Sequence, residues 1–189
     1  MALPWGSQSS STAQLEGGRA EITILPFEMG STSRSVLSLF RPAPRFSVVE
    51  GTTVGAPGSP YQIEVAFHEP QRPAGSLRIV RASINGVEIN EQLVLRGRTA
   101  RERFIGWLDS PDGTKRVHFT FPATAGETVT IQLGVFEAIA SASGGKKGGA
   151  MSAPPTAMGQ GFHGPPVSTE QYSLGQPLAI AEAKLRAQP

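Results

Sequence analysis

Four arginines within eight residues, Arg96, Arg98, Arg101 and Arg103, form the densest group of chemically capable side chains in this sequence, with Arg78 and Arg81 upstream. A guanidinium presents a planar fork of donors that matches two oxygens of a phosphate or carboxylate, so such a cluster could clamp an anion. Glu102 lies inside the run and Phe104 is its only aromatic neighbour, whereas binders of single-stranded nucleic acid stack bases on several rings. The net charge of +2 is also too small to favour a polyanion. The cluster therefore reads first as a solvated or intersubunit salt-bridge patch and second as an anion site, and nucleic acid is not an expected partner.

The other reactive residue types lack the company their chemistry needs. His68, His118 and His163 are too far apart in sequence for a recognisable metal-ligand spacing and are expected on the surface. Ser143 and Lys146 match the letters of a Ser-x-x-Lys acylation motif, but that motif needs a helical turn, and the residues between are Gly144 and Gly145. Asp109 and Asp112 belong to a turn sequence. Cysteine is absent, which removes disulfides, thiolate zinc sites and a cysteine nucleophile. Neither a Walker loop, a nucleophile elbow nor a dinucleotide fingerprint is present. No catalytic residue, metal site or cofactor is assigned, and a non-enzymatic protein is expected.

A second kind of functional residue is the isolated apolar side chain in a stretch that cannot build a core. Residues 1–18 are rich in Ser, Gly and Gln around Trp5, and residues 141–189 are rich in Gly, Pro, Ser and Ala. Such segments bury too little to offset their ordering entropy. Trp5, Met151, Met158, Phe162, Leu178 and Leu185 are the candidate anchors through which they would grip a partner, as buried interface side chains do. Leu178, Ile180, Ala181, Lys184 and Leu185 follow Pro177 among good helix formers, which predicts a short docked helix over 178–187.

Between these arms lies a block that must position everything else. Tyr61, Ile63, Val65 and Phe67 alternate with Gln62, Glu64, Ala66 and His68, and Val129, Ile131, Leu133 and Val135 alternate in the same way, the two-residue period of half-buried strands. Further strands are expected over 20–27, 36–40, 46–50, 77–84, 87–95, 103–108 and 115–121, with the last over 127–137. Asn85-Gly86 marks a tight hairpin because both residues tolerate positive φ, and Asp109 to Gly113 marks another. Residues 51–60 read as a loop. The expected fold is all-β: a single antiparallel β-sandwich, jelly-roll or immunoglobulin-like, spanning 19–140, with an N-terminal arm (1–18) and a C-terminal tail (141–189).

The strand YQIEV at 61–65, the hairpin Ile84-Asn85-Gly86-Val87, RVHFTF at 116–121 and TVTIQLGVFE at 128–137 resemble a β-sandwich domain of unknown function found mainly in fungal and other eukaryotic proteins. The resemblance implies a sandwich fold and carries no activity. The leading functional expectation is a structural component of a large assembly, such as a minor capsid or cement-type virion protein, whose arms bind other protein subunits, homo- or hetero-oligomerically. A free-standing sandwich that binds a ligand and trails a disordered tether is the alternative. No secretory signal and no membrane span are expected, since the first residues lack a basic stretch and an apolar run, and no 18 apolar residues follow one another. The compartment is left open.

Overall fold

The computed structural model describes residues 12–27, 46–110, 113–140, 161–163 and 172–189. Among the described residues fifteen strands make three sheets and no helix occurs. None therefore is long and apolar enough to cross a membrane.

The first sheet is built around β5 (Pro60–His68), whose alternating Tyr61, Ile63, Val65 and Phe67 are all buried. One edge of β5 pairs along its length with β2 (Gly18–Pro26), which in turn pairs with β1 (Thr12–Leu15). The other edge is shared: β12 (Phe119–Thr120) takes the first two residues of β5 and β9 (Thr99–Phe104) takes residues 63–68. The second sheet runs β3 (Ser47–Val49), β4 (Thr52–Gly55), β15 (Tyr172–Ala187), β13 (Thr128–Ala140) and β6 (Arg78–Ile84), with β7 (Val87–Glu88) and β8 (Leu93–Leu95) both on the far edge of β6. A small third sheet joins β10 (Trp107–Leu108), β11 (Lys115–Val117) and β14 (Gly161–His163). Apolar side chains of the two larger sheets meet in one core, Ile22, Ile63, Val65 and Phe67 from the first and Val80, Ile131, Leu133 and Leu185 from the second.

Both hairpins expected from the turn residues are present. Asn85 (φ 48°) and Gly86 (φ 78°) close β6 onto β7, with Ile84 opposite Val87, and Asn85 also accepts a bond from the Thr130 N–H through its side chain. Gly113 (φ 70°) lies in the turn that returns β10 to β11, where the Asp109 N–H donates to the Lys115 carbonyl.

Several expectations are corrected. The helix expected over 178–187 is instead the latter part of β15, which pairs antiparallel with β13 from Arg186 opposite Thr128 to Tyr172 opposite Ala140. Within it Ala181, Ala183, Leu185 and Ala187 are buried while Glu182, Lys184 and Arg186 alternate with them, so a two-residue period was masked by residues that favour helices in isolation. Pro177 sits opposite Phe136, between two register shifts, the kind of bulge where a strand tolerates a residue without N–H. The sheets are not wholly antiparallel, because β15 pairs with β4 in parallel. β4 itself lies where a loop was expected, and the run 87–95 is broken into β7 and β8. The boundaries at 18/19 and 140/141 do not separate arms from core: β1 and β15 are sheet members on their far sides. The strand expected over 36–40 lies outside the described residues.

Candidate functional site

Strand register explains how the arginine cluster is held. On β5 the residues between Tyr61, Ile63, Val65 and Phe67 face away from the core, and Glu64 among them stands directly opposite Arg103 of β9, while Ala66 stands opposite Arg101. Arg103 donates to Glu64 Oε2 from Nε at 2.9 Å and from Nη2 at 2.7 Å. Arg101 reaches the other oxygen only at 3.5 Å, and its side chain is 75% exposed. Arg96 and Arg98 lie in the connection from β8 to β9, where the Arg98 carbonyl accepts from the Glu69 N–H at 2.7 Å.

Three arginines outside the cluster are buried and are structural in their contacts. Arg78 forms a two-pronged pair with Glu69, at 3.0 and 2.8 Å. Arg116 does the same with Glu91, at 2.7 and 3.1 Å, and is the largest fully buried side chain among the described residues. Arg72 donates to the Leu95 carbonyl at 3.2 Å and the Arg96 carbonyl at 2.8 Å, with its guanidinium carbon 5.5 Å from the centre of the Phe67 ring. Burial pulls the Arg72 guanidinium below its ordinary pKa, Arg78 and Arg98 add to that, and Glu69 opposes them. The bonds from Arg72 and from the Glu69 N–H tie the β5–β6 connection to the end of β8 and to the β8–β9 connection that carries Arg96 and Arg98.

The geometry leaves a groove of about 690 Å³ between β8 and β9, lined by Glu64, Arg101, Arg103 and Glu102 on one side and by Leu93 and Val94 on the other. Gln92, Arg96, the Glu91–Arg116 pair and Ile105 complete it. A smaller hollow of about 240 Å³ sits on the outer face of the first sheet, where small Ala66 is ringed by Arg19, Glu21, His68, Thr99 and Arg101. Arg101 belongs to both.

The histidines part ways. His68 is exposed at the end of β5, its Nδ1 3.1 Å from Thr99 Oγ1, and His163 is exposed on β14. His118, expected on the surface, is half-buried between Phe162, stacked at 4.3 Å and 15°, and Phe27, edge-on at 4.1 Å. Its Nδ1 is buried without a hydrogen-bond partner, and burial lowers its pKa below the ordinary histidine value. Among the described residues, no group of three His, Asp or Glu side chains is close enough to hold a metal ion.

The expected partner anchors divide in a similar way. Leu185 is 0% exposed in the core, Leu178 packs partly buried against it, and Phe162 fills the pocket formed by Phe27 and His118. These three stabilise the chain's own fold. Trp5, Met151 and Met158 lie outside the described residues, as do Ser143, Lys146 and Asp112. Sequence reasoning missed the carboxylates that organise the site, Glu64, Glu69 and Glu91; the legible signal was Glu64, a charge on the outward period of the most strongly alternating strand. Comparison with family models, with curated proteins and with solved structures finds no match.

Proposed function

We propose that the two larger sheets pack as a β-sandwich and that the protein is a non-enzymatic structural component, which joins neighbouring subunits, its own copies included, through the rim of the second sheet. One observation carries this reading: every exposed large apolar side chain among the described residues belongs to that sheet, namely Val48 and Val49 on β3, Val87 on β7, Ile139 on β13 and Leu174 on β15. Val48 is 71% exposed on an outermost strand, and Ile139 is 53% exposed where β13 and β15 run on as a two-stranded ribbon beyond the last residue paired with β6. An open strand edge with apolar side chains is a liability in an isolated molecule and a ready surface for strand-to-strand contact. A minor capsid or cement role is one form such a component takes, and it draws its support from the sequence features alone.

Light scattering on the full chain and on Val48→Asp/Ile139→Asp tests this. The parent protein is expected to associate with rising concentration and the variant to remain monomeric with an unchanged circular dichroism spectrum. A parent that stays monomeric at its solubility limit contradicts the reading.

A further inference from the structure

We propose that the groove between β8 and β9 receives an extended acidic segment of a different protein, added as a strand to the free edge of β9. The inference rests on the protein-binding reading above only in taking the ligand to be a polypeptide. Among the described residues β9 pairs on one side alone, with β5, so the other edge of its six residues offers main-chain donors and acceptors along about 20 Å. Strand addition to such an edge derives affinity from main-chain bonds and specificity from alternate side chains.

The side chains on that edge set the specificity. Arg101 and Arg103 are two residues apart and therefore project from the same face, where Glu64 is the one carboxylate between them. Arg103 takes Glu64 at 2.7 Å, and Arg101 is left at 3.5 Å and mostly in water. An incoming strand with carboxylates at alternate positions would set one beside Arg101 and another beside Arg103, the cross-strand charge pairing that stabilises a sheet. Its opposite face would meet Glu102, which alternates with Arg101 and Arg103 on β9, together with Leu93 and Val94 across the groove, which excludes carboxylates and favours apolar residues at the intervening positions. The recognised pattern is thus acidic–apolar–acidic in extended form.

That pattern also says where the segment comes from. None of the fifteen acidic residues in this chain stands two positions from another; the nearest acidic neighbours, Glu88 and Glu91 or Asp109 and Asp112, are three apart. A second copy could not supply the strand, so the occupant is heterologous. This separates the groove from the rim of the second sheet, through which copies of the chain would meet.

Fluorescence anisotropy with the full chain tests the proposal, using a labelled, end-capped peptide of about eight residues, alternating Glu with Val or Thr, long enough to cover β9. Saturable binding is expected, weakened about tenfold by Arg101→Glu and largely retained by Arg101→Lys. The Arg101→Glu protein should prefer the Lys-for-Glu peptide. A peptide N-methylated at alternate residues, which keeps its charge and loses main-chain donors, should not bind. Equal binding of the N-methylated peptide, or of one with its Glu residues contiguous, overturns strand addition, and absence of binding by the alternating peptide overturns the site. Either failure leaves self-association, read by light scattering, unaffected.

Discussion

Leu185 sits on β15 opposite Val129 of β13 and Thr53 of β4, and none of its surface reaches solvent. Leu185→Ala removes three carbons from a site enclosed by neighbouring strands on both sides, in a part of the core that includes Ala181 and Ala183 and so has little bulk with which to close a void. Deletions of this kind cost about 3 to 5 kcal/mol when the surroundings cannot collapse. With a urea dependence of about 2 kcal/mol per molar, the midpoint of unfolding should fall by about 1.5 to 2.5 M. Leu174→Ala on the same strand, where the side chain is partly in water, should cost less than about 1 kcal/mol and serves as the internal control. Equilibrium unfolding followed by tryptophan fluorescence reports both, since Trp107 is buried in the same core. If Leu185→Ala and Leu174→Ala destabilise equally and slightly, residues 172–187 are not an integral strand. By the same logic, removal of 141–189 should yield an unfolded chain rather than a trimmed domain.

Two further outcomes follow from buried groups. Glu91→Leu takes the paired carboxylate from the buried Arg116 guanidinium at the groove wall, and should cost up to about 3 kcal/mol in urea unfolding; Glu91→Leu/Arg116→Met together should recover most of it, and a double variant as unstable as the single one contradicts the ion-pair account. His118 has its pKa depressed by burial, so the folded state binds fewer protons than the unfolded state once pH falls below the ordinary histidine value of 6.5. The stability it supports is present above that pH and is lost as pH drops through the lower, folded value. Melting temperature should therefore fall more steeply below pH 6.5 in the parent than in His118→Phe, and identical pH profiles would refute the assignment.

How far the fold was legible depended on whether local preference and tertiary environment agreed. Tyr61 to Phe67 and Val129 to Val135 alternate large apolar residues, mostly β-branched or aromatic, with polar or small ones, so propensity and period coincide and the strands are found where expected, although Gln62 and Glu64 on the second period of β5 are also buried. Asn85-Gly86 is legible because few residue pairs tolerate positive φ twice in succession. Residues 178–187 illustrate the opposite case: Ala, Glu, Lys and Leu favour helix in isolation, and only the free edge of β13, with which they pair, makes a strand the better solution. β4 was hidden because Thr52 to Gly55 has no apolar alternation of its own and gains its place from parallel pairing with that same unforeseen strand. The candidate site was half legible. Four clustered arginines marked it, but their division into a spent Arg103 and an available Arg101 depends on Glu64 lying opposite one and Ala66 opposite the other, a matter of register between β5 and β9. Phe162 looked like an external anchor for want of a visible pocket; Phe27 and His118 supply that pocket from elements far away in sequence.

The central claim, association through the rim of the second sheet, is tested most directly by hydrogen–deuterium exchange on the full chain at concentrations where it is monomeric and where it is associated. The account predicts that association slows exchange at Ser47–Val49 and in the ribbon formed by residues 138–140 and 172–174, with β9 unchanged. Exchange that is the same in both states across those segments, or protection confined to the first sheet, would contradict it.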